Sequence, residues 1–376
     1  MFVFVWILAA DSPGNPSQHP KPEQRLLLDK YNPPLNKMAT LPPEIILHVV
    51  ECLIPSSPPV AFSPSHPVTR TLINLTLVSS LTSAIARRLL LKHCLYIDSE
   101  ERLTKLISLQ RKSLIDLTAT SPNGLFLAPF PPANLNCPDI ARGVSQLLSA
   151  ISGTLTRLVI NLPLRYLYPE DDVHQLRSVL REAFSRLTNL EEFCSMQDEL
   201  FLNTVSTHIQ PEIWPMWPRL RRLALYNACL NSPGFVDELK ACSNLTHLVF
   251  PRPDGLFAII PEDQAGFAGL AKLERVTIVN TERGLTRYFE FTEDERVPPG
   301  ETLMGRLNSA WLANNTSRPS TDNAASDTFC TLVKVPIPPD QDHDYDADIP
   351  LCQAWVGTRA IDGTLWDTRG TPFLNW

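Results

Sequence analysis

Glycine is scarce, with 14 in 376 residues, about half its usual share. That scarcity disfavours folds that cradle cofactor phosphates in glycine-rich turns, and the chain carries no GxxxxGK[ST]. GxSxG and HExxH are missing as well, so neither a nucleophile elbow nor a zinc-protease helix is on offer. Charged residues make up only 19% and the net charge is −7, which leaves no global basic field for nucleic acid or an anionic membrane. The eight cysteines, at 52, 94, 137, 194, 229, 242, 330 and 352, contain no CxxC pair. They are expected as reduced, buried thiols in an intracellular protein, cytoplasmic or nuclear, rather than as disulfides or zinc ligands. The ten-residue apolar run MFVFVWILAA is far short of a spanning helix and lacks the basic flank of a secretory signal. No cofactor, metal or nucleic acid is expected as a ligand.

Proline, by contrast, is plentiful: 35 residues, about twice the usual share, which describes short elements joined by stiff turns. The most patterned stretch runs from Met38 to Ile97 and reads as three short helices. Thr40 or Leu41 can cap the first, and Pro42 and Pro43 fall in its first turn, where a missing N–H costs little. Leu41, Ile45, Val49 and Leu53 recur on one side, widened by Ile46 and Val50, while Glu44, His48 and Glu51 take the wetter flank. Leu72, Leu75 and Val78 continue the pattern in the second helix, as do Leu81, Ala84, Ile85 and Leu89 in the third, with Arg87 and Arg88 outside. Three helices this small carry more apolar surface than they can hide from water.

Leu41-Pro42-x-Glu44-Ile45, the apolar run to Leu53, and Leu77-Val78-Ser79 followed by Leu81 make this stretch resemble an F-box, the helical motif through which a receptor binds the SKP-type adaptor of a cullin-based ubiquitin ligase. The loop from Ile54 to Arg70 is longer than the family's usual connection, and Ser79-Ser80 replaces its frequent cysteine or basic pair. The resemblance implies that Leu41, Pro42, Pro43, Glu44, Ile45, Ile46, Val49, Leu53, Val78 and Leu81 contact an adaptor, and through it a cullin. It covers about sixty residues, here bounded at 38–97. Residues 1–37 are expected as a disordered leader, with Met38 as the true initiator; N-terminal peptides upstream of Met38 in the native protein would refute this.

Beyond it, Ser99 is expected to cap a helix bearing Leu103, Leu106 and Ile107, followed by a short strand LIDLTA at 114–119 and an irregular proline-rich loop to 138. From 139 to 337 helix and strand alternate. The strands TLTRLVI, NLEEFCS, RLRRLAL, NLTHLVF and KLERVTI share a leucine anchor at 155, 190, 220, 245 and 273, spaced by 35, 30, 25 and 28. Those gaps lie near or above the range of about 20–29 for leucine-rich repeats. The helices expected between them include 139–151 and 171–187, the latter with Val173, Leu176, Leu180, Phe184 and Leu187 inside. A sixth unit is expected at 331–337 after a helix near 301–314, and 338–376 as an acidic loop and aromatic cap. The whole resembles the irregular leucine-rich repeats that commonly follow an F-box. The fold class is therefore α/β, a small three-helix F-box followed by an irregular repeat solenoid, with an ordinary doubly wound α/β domain as the alternative.

In such repeats the strand residues beside the second apolar position point to an open inner face. That rule selects Arg157, Glu192, Arg222, Tyr226, His247, Arg275 and Thr277 as candidate contacts to an unidentified protein target. Glu192 and His247 could face one another there, but without a third, orienting residue they form no acid/base pair. DQDHDYDAD (340–348) alternates aspartates yet lacks the glycine and distal glutamate of a calcium loop, and reads as a solvated acidic loop. The expected function is a non-catalytic substrate receptor of an SKP–cullin–F-box ligase. A repeat scaffold outside any ligase, or an α/β enzyme, are the rivals.

Overall fold

The computed structural model describes residues 41–206, 210–260, 270, 272–290, 299–315, 329–339 and 347–373. The expected leader and the Thr40 cap, most of the polar stretch 313–328, most of the acidic stretch and Trp376 lie outside the described residues. The chain divides into two units, Met1–Ser56 with Pro64–Leu90, and Ser57–Ser63 with Leu91–Trp376. Residues 57–63, expected as part of a helix connection, thus belong to the second unit.

In the first unit, α1 (Pro43–Glu51) starts on proline, and the Pro42 carbonyl accepts from the Ile45 and Ile46 N–H groups. α2 (Pro67–Leu75) is capped by the His66 ring, which accepts from the Val68 N–H at 3.2 Å. α3 (Ser80–His93) begins with a reciprocal cap: the Ser79 hydroxyl accepts from the Thr82 N–H, and the Thr82 hydroxyl from the Ser79 N–H. Ser79 is therefore fitted to its position by capping. Val50, Leu72, Ile85 and Leu89 are buried, whereas Val78, an expected adaptor contact, and Ala84 are exposed. An Arg88–Glu51 pair at 2.7 Å ties α3 to α1.

The second unit is built on a nine-stranded sheet whose strands lie in chain order. They are β1 (Tyr96–Ile97), β2 (Gly124–Leu127), β3 (Arg157–Ile160), β4 (Glu192–Ser195), β5 (Arg222–Leu225), β6 (His247–Pro251), β7 (Arg275–Thr281), β8 (Cys330–Val335) and β9 (Thr371–Pro372). All neighbours pair in parallel except the last two. The chain is accordingly α/β, with 11 α-helices among the described residues. The connections carry α4 (Glu100–Arg111), α5 (Leu117–Thr120), α6 (Pro138–Ile151), α7 (Leu176–Ser185), α8 (Phe235–Ala241), α9 (Glu282–Glu290) and α10 (Leu303–Asn315). α11 (Asp348–Asp362) follows β8.

Two expected elements differ. LIDLTA is no strand: the Asp116 carboxylate accepts from the Thr118 and Ala119 N–H groups and starts α5 instead. The strand sits ten residues on, at Gly124–Leu127, inside the stretch expected to be irregular. The second expected helix starts at Leu176 rather than 171, because Asp172 accepts from the Leu176 and Arg177 N–H groups at 2.8 Å each, and Val173 is left 85% exposed.

Alternate strand residues enter separate cores. Leu158, Phe193, Leu223, Leu248, Val276 and Leu332 pack with Leu106, Leu147, Leu180, Leu239 and Leu307 from the helices, and the anchors Leu155, Leu190, Leu220, Leu245 and Leu273 are all buried there. The opposite face is not wet. Phe126, Val159, Cys194, Ala224, Val249, Val279 and Val333 are covered by Val60 and Ala61 and by Cys352, Val356, Ala360, Leu365 and Trp366. Residues 57–63 form a strap, its Val60 N–H donating to the Ile361 carbonyl at 2.7 Å and its Phe62 N–H to His93 at 2.9 Å. The sheet is thus covered on both faces, and the open inner face expected from the sequence is filled by the unit's own strap and C-terminal helix.

Candidate interaction surfaces

The first unit leaves a ridge of apolar side chains in water. Leu41, Ile45 and Val49 lie along one side of α1, and Leu77 and Val78 lie in the turn between α2 and α3; all five are exposed, from 47% at Ile45 to 68% at Val78. The spacing follows from the helix, since positions four apart stack on one face. Val50, one residue round, turns inward and is 3% exposed. Of the other expected adaptor contacts, Pro42, Pro43 and Glu44 are exposed, while Ile46, Leu53 and Leu81 are half-buried beside the ridge. Removing a Leu, Ile or Val side chain fully from water is worth ~1.5–3 kcal/mol, so an exposed ridge of five is a standing source of association energy.

The expected target contacts form one row across the sheet. The ladder pairs Arg157 with Glu192, Glu192 with Arg222, Arg222 with His247 and His247 with Arg275, each the first residue of its strand. Glu192 and His247 therefore do not face one another: Arg222 stands between them and pairs with Glu192 at 2.7 Å. Arg157 donates to the Pro58 carbonyl at 2.9 Å and the Pro59 carbonyl at 3.2 Å, holding the strap. Arg275 donates to the Trp366 carbonyl at 3.4 Å, and the His247 ring lies 2.9 Å from the Thr246 hydroxyl. Burial lowers the pKa of His247 and of Arg157 below their ordinary values. Tyr226 and Thr277 are buried outright: the tyrosine hydroxyl donates to the Ile349 carbonyl at 3.3 Å, and the Thr277 hydroxyl sits 3.1 Å from that of Thr331. Both are corrected from surface contacts to core residues, and the half-buried remainder of the row is engaged inside the chain.

Asp348, expected in a solvated loop, is likewise buried at the start of α11, where Arg283 pairs with it at 2.6 Å and the Thr281 hydroxyl donates to it at 2.9 Å. The aromatic tail divides: Trp366 and Phe373 are buried, while Trp355 is half-buried under Arg359 at 4.5 Å.

One cluster carried no signal in the sequence. Glu199, Glu212 and Glu238, from loops and α8, line a cavity of about 60 Å3 together with Gln210, Trp214 and Phe235. Burial pushes Glu212 up to about 8 and Glu199 up to about 7; Glu238 is raised too, again first by burial. The three lie far apart in the chain, so nothing in their spacing announces a meeting. Among the described residues no group of three or more His, Cys, Asp or Glu is placed to hold a metal ion, and no helix is long and apolar enough to cross a membrane.

Compared with protein-family models, curated proteins and solved structures, the chain matches none.

Proposed function

We propose that this chain is the substrate-recognition subunit of an SKP–cullin–F-box ubiquitin ligase, working in the cytoplasm or nucleus. The observation that carries the reading is the exposed ridge of Leu41, Ile45, Val49, Leu77 and Val78. It falls on the residues that give the stretch its F-box resemblance, and it offers an adaptor the apolar burial that a partner surface requires. The second unit then acts as an irregular leucine-rich-repeat body that holds a target. Supporting that reading are the five buried leucine anchors, the strands in chain order, and one shared ladder register from β2 to β8. The mechanism is proximity: target and ubiquitin-charged enzyme held in one assembly meet at a raised effective concentration, with no chemistry from the receptor.

The test is co-purification with a recombinant SKP-type adaptor. The wild-type chain is expected to retain it. Ile45→Asp and Val49→Asp are expected to lose at least tenfold in affinity, as burying an unpaired charge at a contact centre demands. Because both side chains already face solvent, stability should change by less than about 0.5 kcal/mol. Full retention of the adaptor by both variants would sink the reading.

A further inference from the structure

With strap and α11 packed on the sheet face, a partner of the second unit must be met elsewhere. The connection from β3 to α7, residues 161–175, presents three of that unit's exposed large apolar side chains: Tyr166 at 58%, Tyr168 at 46% and Val173 at 85%. Their neighbours Leu164 and Leu167 are buried, so the connection is anchored by alternate residues and shows the tyrosines between them.

The presentation is held rigid by one fully buried cation. Arg177, in the first turn of α7, donates to the carbonyls of Leu164 (3.1 Å) and Leu167 in this connection, and of Phe201 (2.8 Å) and Asn203 in the loop after β4. Its guanidinium lies 4.3 Å over the Phe201 ring, which in turn makes a T-shaped contact with Tyr168, the ring centroids 6.2 Å apart. The Arg165 N–H donates to Asp198 at 3.2 Å and the Arg165 guanidinium pairs with Glu199. Burial lowers the Arg177 pKa only to about 10, so the group stays charged at neutral pH. A loop fixed at so many points has little conformational entropy left to lose on binding, which is what makes an aromatic display effective.

Its charge selects the partner. Arg165, its side chain 36% exposed, is paired with Glu199, and Asp172 is spent on the α7 cap; Glu170 and Asp171 are the exposed carboxylates next to the tyrosines, with His174 beyond them. Aromatic faces flanked by carboxylates suit a cation on an apolar stem. We propose that residues 161–175 form a docking surface for an arginine- or lysine-bearing segment of a partner protein, its cations lying over Tyr166 and Tyr168 with Glu170 and Asp171 as counter-charges.

This deepens the receptor reading by moving target contact from the sheet face to this edge, and it is tested without the adaptor. The probes are a fluorescent peptide of arginine, serine and leucine, its glutamate-for-arginine counterpart, and a serine–leucine peptide, each titrated against the full chain. Only the arginine peptide is expected to bind, with affinity falling as salt rises. Tyr166→Ala with Tyr168→Ala should weaken it at least tenfold, and Glu170→Gln with Asp171→Asn about three- to tenfold. Val173→Lys, fully solvated and safe for folding, should weaken it through like charge. Arg177→Met should abolish binding by freeing the loop while adaptor capture persists, which separates failure of this surface from failure of the receptor reading. Equal binding of all three peptides, no binding of the arginine peptide, or an arginine peptide indifferent to the tyrosine and Val173 variants would each overturn the proposal.

Discussion

At the scale of single residues, two ionisable side chains withdrawn from water do unlike things. Arg177 is buried with its N–H groups aimed at four carbonyls, so its charge is solvated by the protein itself. Glu212 is drawn out of water beside Glu238 and Glu199, with Arg181 as its one favourable cation, and its carboxyl therefore keeps its proton up to about 8. A carboxyl whose folded pKa stands above its unfolded value leaves stability untouched below about pH 4.5, where both states are protonated. As pH rises toward 8 the unfolded chain ionises first, and the folded state loses ground until both are charged. Glu212→Gln should consequently stabilise the protein by about 1–2 kcal/mol above pH 8, with no gain at pH 4. Thermal melts of the two proteins at pH 4, 6 and 8.5 measure this, and a difference independent of pH would contradict the assignment.

Elements follow from local chemistry to the extent that their caps are local. Ser99 accepting from the Arg102 N–H, Asp172 from Leu176 and Arg177, and the proline starts of α1, α2 and α6 are written within a few residues of the helices they begin. The strap is different, since its fit depends on β2. Gly124, at the head of β2 and in register with Arg157, lies so close to Val60 that a methyl group would overlap the Val60 carbonyl oxygen. Backbone meets backbone here, so no side chain can yield. Gly124→Ala should cost about 1–3 kcal/mol, read from urea midpoints, whereas Gly153→Ala, with open space around it, should not destabilise. Equal stability of the Gly124 variant would mean that the strap does not lie on the sheet.

For the molecule as a whole, the decisive feature is that one parallel sheet has two covers. The helices between strands supply the first, and α11 with the strap supplies the second, over Val159, Cys194, Ala224, Val249 and Val333. Removing residues 347–376 would leave only the strap on that face. The truncated chain is expected to bind a hydrophobic dye strongly and to lose its cooperative melt, because an exposed apolar face of this extent is an aggregation surface. A truncated protein that stays monomeric and melts as sharply as wild type would show that the second cover is dispensable.

What the sequence by itself determined is whatever a few neighbouring residues decide: the helix starts, the exposed side of α1, and the five leucine anchors, each marked by its own local Leu-x-x-apolar pattern. Gly124–Leu127 escaped because its continuous apolar run has no alternation to read, and LIDLTA misled because the Asp116 cap outweighs its β-branched content. Only the tertiary structure decided that Tyr226 and Thr277 are core, that three glutamates share a cavity, and that Tyr166 and Tyr168 stand out on a fixed loop. The reason is physical: a residue's own letters fix its local geometry, but its exposure depends on whether a segment hundreds of positions away, such as α11 over β3, comes back to cover it.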